Sequence, residues 1–184
     1  MGDIMQDQDD ALLAVEQLFN DYKENYSTLI ESNEISFATD YKNQFAKVIL
    51  LACASYFETK VVNAVIESLN TKDCSLTYNF VSRKALKRQY HTLFSWDSSN
   101  ANTFFSFFGE DFKKFMVQRV KEDENLRSSI KDFLLLGSLR NQLVHDNYAM
   151  FSLDLTVEDM WAKFKNAQEF VFNIKSMTSE FKCA

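Results

Sequence analysis

The sequence contains no proline and only three glycines in 184 residues. The tight turns of a hairpin-rich sheet depend on Gly, Asn-Gly and Pro, so such a sheet is disfavoured here. Long helices need neither residue in their interiors, because both weaken a helix. The shortage of proline and glycine therefore predicts an all-α protein.

Cysteine and histidine are also scarce. The three cysteines, Cys53, Cys74 and Cys183, are odd in number and widely spaced, which favours neither a disulfide framework nor a zinc site. We expect no bound metal and no cofactor. Only two histidines occur, His91 and His145, so they are the two positions at which imidazole chemistry can take place.

Positive charge and long apolar runs are limited as well. The net charge is -6, so any contact with nucleic acid must be local.

The stretch VILLACASYF at 48–57 is the longest apolar run that we identify, and it is shorter than the ~18–20 residues of a membrane span. The acidic start, MGDIMQDQDD, is the opposite of a signal peptide. We expect a soluble, cytoplasmic protein with no membrane partner.

Hydrophobic residues are abundant, at 46%, and 18 of them are phenylalanines. A chain of this length fits one domain, residues 1–184, with a substantial core. Apolar side chains recur at helical spacing, which predicts five to six helices. We expect helices over 10–31, 36–69, 80–94, about 102–120 with a possible break at Gly109, 125–145 and from Thr156 onward, with a connection at 71–77 and a loop at 95–102.

The segment SLRNQLVHDNY, 138–148, holds the best candidate for chemistry. Arg140 offers a planar cation that binds phosphate oxygens, and His145 an imidazole that moves a proton near neutral pH. On a helix the two lie about 7.5 Å apart along the axis and about 140° around it. They meet only if the last turn loosens or if a second copy of the helix supplies the other half.

A structural interpretation of the same residues stays open. In it, Arg140 pairs with Asp132 or Asp146, and His145 closes the helix, where a cation or hydrogen-bond donor is favoured. Spacing alone does not decide between the two interpretations.

The motif Arg140-Asn141-x-x-x-His145 resembles the signature of the HEPN superfamily, which is an Arg, a polar residue and, four to six residues on, a His. The likeness covers roughly residues 40–175 and is to the RiboL-PSP type of HEPN domain. It includes three further segments, LACASYFETKVV, NTFFSFFGEDFKKF and LTVEDMWAKFKNAQEFVFNI.

This resemblance implies an up-and-down helical bundle and a metal-independent endoribonuclease, with Arg140, Asn141 and His145 as the catalytic residues. His145 acts as acid or base, Arg140 holds the scissile phosphate, and Asn141 orients it or positions the partner chain. Cleavage through the 2′-hydroxyl leaves a cyclic phosphate. The resemblance also implies a homodimer, a toxin or antiviral role, and an antitoxin or sensor protein as partner. The alternative is a non-catalytic helical module that binds a nucleotide or a protein.

Other residues admit two interpretations each. Glu58 either orients Arg140 or is an ordinary solvated acid. The basic run RKALKR, 83–88, either guides an RNA backbone or is a solvated helix face. His91, the stretch FFSFF at 104–108 and Trp96 are interpreted as structural.

Overall fold

The computed structural model describes residues 9–69, 74–146 and 148–183, and within these ranges the chain is helical and has no strand. The all-α prediction is confirmed. Seven α-helices occur in the described ranges: α1 Asp10–Glu31, α2 Ile35–Ser68, α3 Ser75–Phe80, α4 Asn102–Ser106, α5 Glu110–Glu122, α6 Glu124–His145 and α7 Val157–Cys183.

Most of the predicted helices are found within a residue or so of their expected ends. The break at Gly109 is confirmed, because this residue separates α4 from α5 with a φ of 106° that favours glycine. The predicted connection at 71–77 is wrong at its C-terminal end, since α3 already begins at Ser75. Its residues 71–73 lie outside the described residues.

The predicted helix over 80–94 is wrong as a continuous element. After α3 the chain forms a π-helical stretch over 81–86, breaks at Arg88 with a φ of 61°, and closes with a single 3-10 turn at Tyr90–Thr92. Before the break only Leu86 of this stretch is buried, whereas Tyr90 and Phe94 behind it enter the core. The break therefore turns the chain from solvent back into the protein.

Helices α2 and α7 form the centre of the bundle, with α1 and α6 packed beside them. Phe57 of α2 lies 5.0 Å from Phe164 of α7 and 5.5 Å from Phe133 of α6, measured between ring centroids. Such tilted and edge-on aromatic contacts add to the free energy gained by burying the rings. These phenylalanines thus join α2, α6 and α7 in one core.

Helix α2 is more apolar than the sequence analysis allowed. By length and composition it is able to cross a membrane, with a mean hydropathy of 1.5 over an 18-residue window. The expectation that no segment reaches this length was wrong, because the mean hydropathy of the window stays high although polar residues interrupt the apolar run. Half of that window is buried against the other helices, which is the environment of a core helix.

Side chains cap the starts of α1, α6 and α7; at α6 the Asp123 carboxylate accepts a hydrogen bond from the Leu126 amide at 3.0 Å. Thr156 and Asp159 exchange hydrogen bonds as a capping box at the start of α7. At α1, the Asp9 carboxylate accepts hydrogen bonds from the Leu12 amide and, at 2.8 Å, from the Tyr56 hydroxyl. It also forms an ion pair with Lys60 at 2.8 Å. Asp9 therefore both caps α1 and ties it to α2.

Replacing Asp9 by Ala is expected to lower the free energy of unfolding by about 1–2 kcal/mol at pH 7, because the cap and its partners are lost. Burial raises the pKa of the Asp9 carboxyl, but hydrogen bonds from Lys60 and Tyr56 outweigh burial and lower it overall. The contribution is therefore complete above the unfolded pKa and lost as pH falls through the folded pKa.

Denaturant unfolding at pH 7 and near pH 3 measures this effect, with the exposed neighbour Asp10→Ala as the control. The deficit of Asp9→Ala should shrink at the acidic pH. An equal deficit at both values, or in the control, contradicts the role given to Asp9.

Candidate functional site

The three motif residues occupy the last two turns of α6. Arg140 and Asn141 are half-buried, and His145 is exposed and is the last residue of the helix. The helix ends there because Asp146 takes an extended conformation, while its amide still donates to the Gln142 carbonyl. His145 therefore stands at the rim of the bundle, open to solvent.

One face of α6 lines a surface groove with a volume of about 320 Å³. Asn141 and His145, four residues apart, share this face, as helical geometry requires. Arg140 lies about 140° around the helix from His145 and does not line the groove. The lining consists of Trp96, Asp97, Ser138, Asn141, Gln142, His145 and Asp146.

A hydrogen bond connects Arg140 to the groove. Its guanidinium donates from Nη1 to Asn141 Oδ1 at 3.1 Å, so Asn141 is a link between the cation and the groove that holds His145. The structure thus brings Asn141 and His145 together and attaches Arg140 through Asn141. Direct contact between Arg140 and His145 is absent among the described residues.

The ion pair of the structural interpretation does not form within the described part of the chain. Asp132 instead binds Lys163 at 2.8 Å and Asn166 at 2.7 Å, both on α7. Asp146 lines the groove without pairing with Arg140. His145 is the last residue of the helix, and the C-cap is Asp146.

Glu58 and Arg140 both act electrostatically on one buried phenol. Burial raises the pKa of Tyr90, the negative charge of Glu58 raises it further, and the positive charge of Arg140 opposes this. The acid, the phenol and the guanidinium are therefore neighbours where α2, α6 and the turn at 90–92 meet. No ion pair joins Glu58 to Arg140 among the described residues, so a direct orienting contact is not found.

The far wall of the groove is Trp96, held on the loop after the 3-10 turn. Its indole nitrogen donates to the His91 carbonyl at 2.8 Å, and its ring packs 5.4 Å from that of Tyr90. The ring also covers Gly137, where an added Cβ would lie 2.0 Å from it. Helix α6 needs glycine at this position so that the indole can lie against its backbone.

The chain after the motif is held by a buried lysine. Lys47 of α2 donates to the Tyr148 carbonyl at 2.7 Å and lies 4.9 Å from the centre of its ring. Its charge is thus balanced by a carbonyl and an aromatic face. This contact fixes the direction in which the chain leaves His145.

Lys47 and Asp97 were not predicted from the sequence, and Trp96 was interpreted there only as structural. One available signal was Gly137, because an isolated glycine within a helical pattern often marks a close approach. A lysine in an apolar helix stretch is a second signal. Within residues 9–69, 74–146 and 148–183, no three His, Cys, Asp or Glu side chains meet in a group suited to a metal ion.

Replacing Gly137 by Ala is expected to displace Trp96 and lower the free energy of unfolding by about 1–3 kcal/mol, because the methyl group overlaps a ring packed on three sides. The double variant Gly137→Ala/Trp96→Leu is the control, since the smaller side chain removes the overlap. Thermal unfolding of the two single variants and the double variant measures the coupling. Strictly additive losses would contradict the contact.

Comparison with known proteins gives one match. The family model for RiboL-PSP-HEPN domains matches residues 14–180, and this range includes the groove, the motif, α2 to α6 in full and most of α1 and α7. Neither the curated proteins nor the solved structures provide a match. The match extends over most of the chain, and the helical bundle agrees with it: the chain belongs to the RiboL-PSP-HEPN family.

Proposed function

We propose that this protein is a metal-independent endoribonuclease that cleaves RNA through the ribose 2′-hydroxyl. HEPN domains of this kind are commonly ribonucleases, which makes RNA the expected substrate class. The hydrogen bond from Arg140 to Asn141 carries the proposal, because it connects a guanidinium to a groove that also holds an exposed imidazole.

The side chains suit the two tasks of the reaction. His145 takes the proton of the 2′-hydroxyl as base, or protonates the 5′-oxygen as acid. The 2′-oxygen attacks phosphorus, the bond to the 5′-oxygen breaks, and a 2′,3′-cyclic phosphate remains. Arg140 has five N–H groups and uses one for Asn141, so the others are free to bind the phosphate oxygens as charge builds up.

In a homodimer, Arg140 and His145 from different protomers are able to complete one site. Within one chain, Arg140 and His145 diverge, and the groove carries the carboxylates of Asp97 and Asp146, which repel a phosphate. We infer that Arg140 of one protomer and His145 of its partner bind the same phosphate. Val144 and Met150 place exposed apolar surface beside the motif, and such surface is commonly buried at interfaces.

The proposed activity also suggests the biological setting. A ribonuclease without a metal requirement would damage the RNA of the cell that makes it. We therefore propose a toxin or antiviral effector in the cytoplasm, controlled by an antitoxin or a sensor protein that acts as its partner.

Removal of either the Arg140 guanidinium or the His145 imidazole should strongly slow cleavage of a structured RNA. We expect a loss of about 10²–10⁴-fold for His145→Ala, as for a general acid or base, and about 10²–10³-fold for Arg140→Ala. Gel analysis of a labelled transcript measures the rates, and the product end should be a cyclic phosphate. DNA of the same sequence should remain intact.

His91→Ala is the matched control, since His91 is the other histidine and is also exposed. It should cleave at the wild-type rate, and circular dichroism should show all variants folded. A wild-type protein that fails to cleave, or equal rates in all variants, would instead favour the non-catalytic module.

Mixing two inactive variants tests whether the site is shared between chains. Arg140→Ala and His145→Ala protomers that exchange subunits form a heterodimer in which one shared site keeps both wild-type residues. Random pairing should then restore about a quarter of the wild-type activity, because half of the dimers each have one intact site.

Light scattering confirms the dimer in the same samples, and a mixture of His145→Ala with itself is the blank. If dimers exchange and activity stays at the blank level, the site lies within one chain and the shared-site proposal fails.

A further inference from the structure

The segment from Cys74 to Trp96 contains no acidic residue, in a chain that has 26 of them. It carries four cations, and all four are exposed: Arg83, Lys84, Lys87 and Arg88. The rest of the protein is therefore more acidic than the net charge suggests. Positive potential is concentrated on this one segment.

These cations have no acidic partners among the described residues. Several basic side chains elsewhere in the same ranges are paired with acids, as Lys60 is with Asp9 and Lys163 with Asp132. The π-helical stretch over 81–86 and the turn at Arg88 hold the four side chains out in solvent. Their charge is available to an anionic ligand.

Apolar side chains precede the cations and are equally exposed. No residue of α3 is buried, and Leu76 and Phe80 are 80% and 67% exposed. Four residues apart, they share one helix face that continues toward the basic turn. An exposed aromatic ring next to unpaired cations is the combination with which proteins bind single-stranded nucleic acid, by stacking and by backbone contacts.

The segment is continuous with the groove. It leads to Tyr90, whose ring packs against Trp96, and Trp96 lines the groove together with His145. The charge of Arg140 acts on the same Tyr90 phenol. A single strand of RNA that binds along the basic segment is therefore directed toward the motif. Binding of an acidic peptide or a lipid surface would not explain this continuity with the motif.

We propose that residues 76–88, here called the basic arm, form a second RNA-binding surface outside the groove. The four cations bind successive phosphates of a single strand, and Phe80 stacks on a base. The inference rests on the proposed function, because it takes the ligand to be the RNA that the groove cleaves.

Binding of a labelled single-stranded RNA to His145→Ala protein, measured by anisotropy over a range of salt concentrations, tests the basic arm. The arm variant replaces its four cations with Gln. The matched control replaces four exposed lysines on other elements with Gln and so has the same net charge: Lys114, Lys121, Lys131 and Lys165.

The arm variant should bind at least tenfold more weakly at low salt. The slope of log affinity against log salt should fall by about 3, since each single-strand phosphate contact contributes about 0.7. The control should keep both affinity and slope. Equal weakening in the two variants would show an effect of net charge and would overturn the proposal.

A single substitution tests the stacking contact. Phe80→Ala should bind RNA about tenfold more weakly, in the range found for base stacking on an aromatic ring. Phe37→Ala is its matched control, because Phe37 is 62% exposed but lies near the start of α2, outside the arm. Identical affinities for the two variants would exclude a role for Phe80.

The results separate this inference from the proposed function. RNA binding unchanged in the arm variant, with cleavage still dependent on His145, overturns the arm alone. Arm-dependent RNA binding without any cleavage by wild-type protein supports the arm and overturns the nuclease. Arm-dependent binding to anionic lipid vesicles or to an acidic polypeptide, without RNA binding, overturns the arm as an RNA surface.

Discussion

The position of the motif depends on one polar contact between α6 and α7 inside an apolar interface. Ser129 is fully buried, and its hydroxyl accepts a hydrogen bond from the Phe170 amide at 2.7 Å. A buried polar group without its partner is costly, so this bond fixes how α6 is rotated against α7. One turn further along α6, Asp132 forms an ion pair with Lys163 of α7. This ion pair stabilises the same orientation of α6 against α7. Asn141 and His145 face the groove because the helix that carries them is held in this way.

The groove itself is made by a contact that is distant in sequence. Trp96 lies against the bare backbone of Gly137, and its indole is held by the His91 carbonyl and the rings around it. One wall of the groove thus belongs to a loop and the other to α6. A loop wall anchored by an aromatic ring is able to carry polar groups such as Asp97 at its edge while the ring remains packed.

Sequence patterns predicted what is set locally and missed what is set by distant contacts. Both ends of helix α1 were predicted correctly, because its apolar spacing is regular and Asp9 caps its start. The helix expected over 80–94 failed because its turn depends on Arg88 adopting a positive φ and on Tyr90 reaching the core. Local periodicity contains neither fact. The motif was located from its residues, but the Arg140–Asn141 link and the wall at Trp96 required the fold.

The charge distribution bears directly on how an acidic protein would engage RNA. A net charge of -6 repels a polyanion at long range, so attraction must come from a compact, unpaired cluster. The basic arm is such a cluster, and the acidic remainder disfavours other binding modes. The same repulsion acts at shorter range in the groove, where Asp97 and Asp146 repel a phosphate unless a guanidinium neutralises its charge. On the proposed function, the acidic residues restrict where and in which assembly RNA binds, and Arg140 provides the charge that overcomes them.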